Sequence, residues 1–174
     1  MEAKVADILF ERIQKEAMIA FVQKNDQNFS EAIDLVLGNQ YPLSWRASWI
    51  LGHAMKKNDG RIRPYVDKLI DLIEPAEHDG QQRELMKLLF KMKLDEEQEG
   101  KLFDICMNLW EKIGKTPSVR STAFKFILDI IKKYPELKEE IAFVMEPQYI
   151  EPLSPGIQRS IKKQLAAINM KVVE

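Results

Sequence analysis

Two tryptophans and an arginine near position 45 have the residue types and spacing of a binding site. Trp45 and Trp49 are four residues apart, so on a helix they share one face, beside Arg46. Tryptophan and arginine are among the residues most enriched where proteins bind partners tightly. The same indoles can instead fill the interface between packed helices, because aromatic side chains supply much core area. Both interpretations, a partner-binding surface and interior packing, are open from the sequence.

A row of basic residues forms a second candidate surface. Arg83, Lys87 and Lys91 follow one another at four-residue intervals and predict a positive stripe along one helix. Such a stripe can contact phosphates. It is also typical of the exposed edge of an amphipathic helix whose other face carries apolar residues such as Leu85 and Leu88.

No group of residues has the pattern of a catalytic or metal-binding site. The single cysteine, Cys106, lies in an apolar row and is expected to be a small buried side chain. His53 and His78 lie on different segments, without further ligands at zinc-binding spacing. Glycine-rich phosphate-binding motifs and a G-x-S-x-G motif are missing. We therefore predict a protein that is not an enzyme and uses no cofactor or metal.

Length and composition predict one soluble domain. The chain has 174 residues, 45% apolar and 30% charged, with a formal net charge of -1. These values are typical of a single globular domain and give no overall attraction to nucleic acid or membrane. Charged residues in the first seven positions disfavour a signal peptide, and no apolar run approaches the roughly 18 residues of a membrane span. We expect a cytoplasmic protein.

Clustered prolines and glycines divide the chain into helix-sized pieces, and sustained apolar–polar alternation, the mark of strands, is lacking. Helix starts are indicated by a capping residue three positions before Glu or Gln, or by Ser or Thr before proline. Five segments show these signals: 28–31, 79–82, 95–98, 116–117 and 154–155. The predicted helices are residues 2–24, 29–37, 44–57, 62–74, 81–93, 96–113, 117–133, 136–146 and 156–170.

Four arginines mark an internal repeat. Arg46, Arg83, Arg120 and Arg159 are spaced 37, 37 and 39 residues apart, and each lies in the first turn of a predicted helix. A helical hairpin of this size cannot cover its own apolar face, so neighbouring hairpins must stack. The spacing predicts about four hairpins and a C-terminal capping helix within one domain covering residues 1–174.

The segments at these arginines resemble known repeats. Ser118–Ala123 is similar to the V-R-x-x-A opening of many HEAT-like first helices, and Ser44–Gly52 is a looser version. The resemblance implies an all-α protein, a right-handed α-α superhelix of HEAT-like hairpins in the armadillo-type class. It implies an architecture used for interaction rather than a specific activity.

The order of segments, especially the tryptophan-containing helix followed by the Arg-Pro-Tyr-Val-Asp segment at 63–67, also resembles a group of short bacterial proteins sometimes labelled adenylosuccinate lyase. The lyase itself is a much longer chain with an S-S-x-M-P-x-K-x-N-P loop, and this sequence has no such segment. The resemblance therefore implies a fold and does not imply lyase activity.

Charge alternates between successive predicted helices. Helices 44–57, 81–93 and 117–133 each carry +3, and the last carries +4 with Lys171 counted at its end. The helices that follow the first three, and helix 29–37, are acidic. In HEAT-like proteins the second helices line the concave face, so the resemblance implies an acidic groove. Such a groove favours a basic peptide or protein partner and disfavours nucleic acid. The same charges can also be no more than a solvated surface.

The leading hypothesis is a non-enzymatic protein- or peptide-interaction module. Its candidate interaction surface comprises Trp45, Arg46, Trp49, Arg83, Lys87, Lys91 and Arg120. The alternative is a DNA-binding or DNA-repair enzyme resembling the HEAT-like alkylpurine DNA glycosylases, which have a basic concave surface with tryptophans around a catalytic aspartate. The acidic second helices count against that alternative.

Overall fold

The structure is a computed structural model that describes residues 4–11 and 14–170, except for the side chain of residue 140. All regular structure in these ranges is helical, and neither range contains a strand. The all-α prediction is confirmed. The chain divides into two compact units, Met1–Gln98 and Glu99–Glu174, and the prediction of one domain covering the whole chain stays a prediction.

The first unit is built around one central helix. Its α-helices are α1 (Val5–Phe10), α2 (Lys15–Gln23), α3 (Asp26–Leu37), α4 (Leu43–Ala54), α5 (Val66–Asp71) and α6 (Asp79–Leu89). Helix α4 packs against α1, α2, α3 and α6. Its inward face buries small and branched side chains completely, including Ala47, Ile50 and Leu51. The small side chain of Ala47 lets neighbouring helices approach closely, so α4 lies at the centre of the core.

Helices α4 and α6 lie side by side and run in the same direction. The start of α6 touches the start of α4, since a Cβ on Gly80 would lie 3.1 Å from Nε1 of Trp45. The ends of the two helices also meet, because Nζ of Lys91 donates to the carbonyl of Gly52 over 2.6 Å. First helices of consecutive stacked hairpins have this parallel arrangement.

The second unit contains the remaining helices. They are α7, which begins before the division between the units (Glu96–Glu111), α8 (Pro117–Lys133), α9 (Leu137–Glu140), α10 (Pro147–Ile150) and α11 (Pro155–Ala167). Its core is predominantly apolar and includes Trp110, Phe124, Ile127 and Leu165. Cys106 is fully buried, as predicted.

Several predicted helix starts are confirmed and two are wrong. Asp95 and Gln98 exchange backbone-to-side-chain hydrogen bonds at the start of α7, and α8 and α11 begin with the predicted prolines. The third helix instead starts three residues early, because Asn25 accepts the hydrogen bond from the amide of Asn28. His78, rather than Asp79, is the cap of α6.

Two predicted helices are interrupted, and a third, predicted over 62–74, consists of a 3₁₀ turn, Arg63–Tyr65, followed directly by α5, which ends at Asp71. The first, predicted over 2–24, breaks after Phe10, where Glu11 and Gln14 have extended backbone; residues 2, 3, 12 and 13 lie outside the described residues. The break lets α1 and α2 contact each other and lets both contact α4, so tertiary packing overrides local helix propensity. The helix predicted over 136–146 is divided into α9 and a 3₁₀ turn, Ala142–Met145.

The repeat arginines occupy matching places near helix starts. Each is the fourth or fifth residue of its helix, in α4, α6, α8 and α11. Part of the positive charge predicted for these helices lies in the turns after them, since α4 ends before Lys56 and α6 before Lys91. Cations are favourable there because they face the negative end of the helix dipole. Lys171 lies outside the described residues.

Candidate functional site

A cavity of about 430 Å³ opens on the first unit where the ends and starts of four helices meet. Four of the seven predicted surface residues line it, and they come from α4 and α6. We call it the tryptophan pocket. Its described lining consists of Leu9, Phe10, Glu11, Met18, Trp45, Arg46, Trp49 and Arg83.

The two tryptophans stand on the side of α4 opposite its buried face. Both indoles are partly exposed, whereas Ser44 and Ser48, each next to one of them, are fully buried. The ring of Trp45 lies against Gly80 and stacks on Tyr41 with ring centroids 6.1 Å apart. The indoles therefore do both jobs that the sequence left open, packing on one edge and lining a cavity on the other.

Arg46 connects the pocket wall to the end of α1. Its Nη1 donates to the carbonyl of Leu9 over 2.6 Å, and its guanidinium carbon lies 5.9 Å from the ring centroid of Phe10. The carbonyls of a last helical turn have no partner within their own helix, so this bond caps α1. It also fixes the guanidinium at the pocket.

The basic row begins on α6 and runs away from the pocket into the turn after that helix. We use that name for Arg83, Lys87 and Lys91. The first two donate to the same oxygen of Glu84, over 2.9 and 3.1 Å. The Glu84 side chain is only 6% exposed, while that of Lys87 is 50% exposed. The carboxylate therefore lies beneath the cations, and the outer layer of the row is positive.

An aromatic row on α4 lies beside the basic row. It consists of Trp45, Trp49 and His53, with the His53 ring edge-on to Trp49 at 5.1 Å. Burial, together with the nearby positive charges of Lys15 and Lys91, lowers the pKa of His53, against the opposite effect of Glu84. The imidazole is therefore neutral at pH 7. The ammonium of Lys15 lies 6.0 Å from the Trp49 ring centroid, on the same surface.

Arg120 does not belong to this surface. It lies in the second unit, only 1% exposed, and donates to the carbonyls of Trp110 over 2.9 Å and Tyr149 over 2.5 Å. Its guanidinium also lies 4.7 Å from the Trp110 ring, and burial lowers the pKa of Arg120. A side chain in this position joins α7, α8 and α10 and is not available to a partner, so we correct its assignment to an exposed surface.

Other side chains that could take part in chemistry pack within the fold instead. Cys106 is buried, which raises the pKa of its thiol. His78 stacks on Tyr41 with ring centroids 3.5 Å apart. Within residues 4–11 and 14–170, no three His, Cys, Asp or Glu residues converge in an arrangement that would hold a metal ion. Over the same ranges, no helix has the length and apolar character needed to cross a membrane.

A second cavity, of about 570 Å³, lies at the turn after α4. Asp59 organises this turn by accepting hydrogen bonds from the amides of Lys56 and Arg61 and from the Arg61 guanidinium. The Arg61 hydrogen bond is the main reason that the pKa of Asp59 is lowered to about 2. Arg61 also lies 3.5 Å from the ring centroid of Phe29, so the turn is fastened to α3.

Half of the pocket lining was missed from the sequence. Leu9, Phe10, Glu11 and Met18 all lie within the helix predicted as continuous, so no local signal marked them as neighbours of Trp45. Phe10 is 58% exposed. An exposed phenylalanine indicates a binding surface, but its exposure is known only from the structure.

Comparisons with known proteins agree with the architecture. No curated protein and no solved structure matches the chain. A family model described as a HEAT repeat domain matches residues 7–168, which is nearly the whole sequence. This match confirms the resemblance carried by the arginine-containing helix starts, and the family's repeats are helical scaffolds for interaction with other proteins. The chain belongs to the HEAT repeat domain family.

Proposed function

We propose that this protein is a non-enzymatic interaction module and that the tryptophan pocket binds a segment of a protein or peptide partner. The observation that carries the proposal is the convergence of Trp45, Trp49, Arg46 and Arg83 on one cavity. Its volume is within the range of roughly 300–1,000 Å³ typical of ligand pockets. An exposed phenylalanine in its wall supplies apolar surface that a partner would remove from water.

A protein partner fits the pocket better than a nucleic acid. Nucleic-acid affinity depends on many cations that are free to neutralise phosphates. Here the cations are few, and Glu11 places a carboxylate in the pocket lining, which disfavours a phosphate backbone there. The described lining offers no aspartate for the DNA-repair alternative. The basic partner expected from the acidic second helices stays a prediction, and no residue of those helices belongs to the described pocket lining.

Photo-crosslinking at two matched phenylalanines tests the proposal. Benzoylphenylalanine replaces either Phe10, in the pocket wall, or Phe143, which is 45% exposed in the second unit. Each protein is expressed in cells and irradiated. We expect a discrete protein adduct from position 10 that is missing from position 143, survives nuclease treatment and is lost when Trp49→Ala is added.

Two outcomes would contradict the proposal. Equal adducts from both positions would indicate collision without a binding site. An adduct from position 10 that disappears with nuclease would assign the pocket to nucleic acid.

A further inference from the structure

The cations around the tryptophan pocket outnumber the carboxylates. Among the described residues, the pocket and the rows beside it carry two carboxylates, on Glu11 and Glu84. They carry four cations, on Arg46, Arg83, Lys87 and Lys91, and the ammonium of Lys15 lies 6.0 Å from the Trp49 ring centroid beside them. The excess within the pocket and the rows is therefore two positive charges, on a chain whose formal net charge is -1.

The positions of these charges make the excess effective at the surface. Arg46 donates to the backbone carbonyl of Leu9, and Lys91 donates to that of Gly52. Because a carbonyl has no net charge, these hydrogen bonds leave the positive charges of both side chains uncompensated. The carboxylate of Glu84 is buried under its partners. A partner approaching the basic row meets ammonium groups first, and negative charge on that partner is favoured.

The apolar pocket lies at one end of the basic row. Arg83 belongs to both, whereas Lys91 lies at the far end beside Gly52. From Arg83 to the end of α6 at Leu89 the helix spans about 9 Å at 1.5 Å per residue, and Lys91 follows in the next turn. An extended peptide covers the helical distance with about three residues at roughly 3.3 Å each. A side chain in the pocket and negative charges along the row are therefore within reach of one short segment.

We propose that the tryptophan pocket and the basic row bind an extended acidic segment of a protein partner, with one aromatic or large aliphatic side chain in the pocket and Asp or Glu residues within four positions of it. This inference rests on the proposed function and adds the chemistry of the partner. The anchor supplies apolar burial against Phe10, Met18 and the tryptophans. The acidic residues supply the orientation, because only one end of the pocket continues into the basic row.

Synthetic peptides test this chemistry directly. The probe is a fluorescein-labelled octapeptide with one phenylalanine and with glutamates two and four residues after it. Comparison probes carry lysines in place of the glutamates, serine in place of the phenylalanine, or an oligothymidylate instead of a peptide. Fluorescence anisotropy with the full chain gives the affinities. We expect the first probe to bind most tightly and to weaken as salt is added.

Matched variants locate the effect. Lys87→Gln combined with Lys91→Gln is expected to weaken the glutamate probe by about five- to tenfold, since each exposed ion pair contributes a modest amount. Lys162→Gln combined with Lys163→Gln removes two exposed lysines of α11 and should leave the affinity unchanged. Lys15→Glu is a second test that leaves the bonds of Glu84 intact, and it should also weaken binding. Circular dichroism checks that each variant is folded.

Binding of the lysine probe as tight as that of the glutamate probe would overturn the inference. So would tighter binding of oligothymidylate, or equal effects of the two double variants. If no peptide binds while position 10 still gives a nuclease-resistant protein adduct, the acidic-segment inference fails and the proposed function stands. If the adduct is also lost, both fail.

Discussion

The arginine that marks the repeat has different tasks at different positions. Arg46 and Arg120 each donate to a carbonyl in the last turn of another helix, on Leu9 and Trp110 respectively. In the first unit the guanidinium stays partly exposed and lines a pocket, whereas in the second it is buried beside an aromatic ring. Capping a helix C-terminus is the shared structural role. Availability to a partner depends on the residues that surround the arginine.

Asp59 gives a residue-scale prediction. Its folded-state pKa is about 2, below the usual value near 3.8, so the charged form stabilises the fold above pH 4. We expect Asp59→Asn to lower the free energy of unfolding at pH 7 by about 1–3 kcal/mol, because charged hydrogen bonds to Arg61 are lost. As pH falls from about 4 towards 2, the stabilisation that the charged carboxylate provides is progressively lost, so the difference in the free energy of unfolding shrinks. Urea unfolding of both proteins at pH 7 and pH 3 measures this difference in the free energy of unfolding. A difference of equal size at the two pH values would contradict the prediction.

At the scale of elements, the close contact of α4 and α6 determines how the pocket is built. Gly80 lies at one end of this contact, against the Trp45 ring. Gly52 lies at the other end, where a Cβ placed on it would be 3.7 Å from Cδ2 of Leu88. The missing side chain of Gly80 leaves room for the indole. The orientation of Trp45 in the pocket wall therefore depends on a residue of the neighbouring helix.

Replacing that glycine tests the contact. Gly→Ala in a helix normally adds about 0.5–1 kcal/mol of stability. We expect Gly80→Ala to lack this gain, because its Cβ would lie 3.1 Å from Nε1 and 3.4 Å from Cε2 of Trp45. Gly100→Ala is the matched control, since a Cβ on Gly100 of α7 meets no described atom within 4 Å. Urea unfolding should show a higher free energy of unfolding for Gly100→Ala alone. Equal gains for the two variants would contradict the prediction, because they would mean that the Trp45 ring moves aside at no cost.

Elements with strong local signals were predictable from the sequence, and those set by packing were not. Helices α7 and α8 start where Asp95 and Pro117 indicate, because capping and proline act within a few residues. The break after Phe10 has neither proline nor glycine beside it, so it could not be found locally. The spacing of the tryptophans and of Arg83 predicts these residues as candidates. The α1 side of their pocket was missed, because it depends on the break after Phe10.

At the scale of the whole molecule, each unit has its own core and its own tryptophans. Trp45 and Trp49 lie in the first unit, and Trp110 lies fully buried in the second. The indole nitrogen of Trp110 donates to the carbonyl of Val144 over 2.8 Å, which ties the ring to the 3₁₀ turn after α9. With three tryptophans in the chain, replacing the first two by phenylalanine leaves fluorescence that reports on the second unit alone.

Stability of the second unit and binding by the first should therefore be separable through Arg120. Arg120→Met leaves the carbonyls of Trp110 and Tyr149 without their donor, and we expect a loss of about 1–3 kcal/mol in the unfolding reported by Trp110. Arg159→Met, at the matching but exposed position of α11, should change stability by less than about 0.5 kcal/mol. Anisotropy with the glutamate probe, under conditions where both variants are folded, should give wild-type affinity for each. Weakened binding by Arg120→Met alone would contradict the assignment of binding to the first unit, because that side chain touches no residue of the tryptophan pocket among its described contacts.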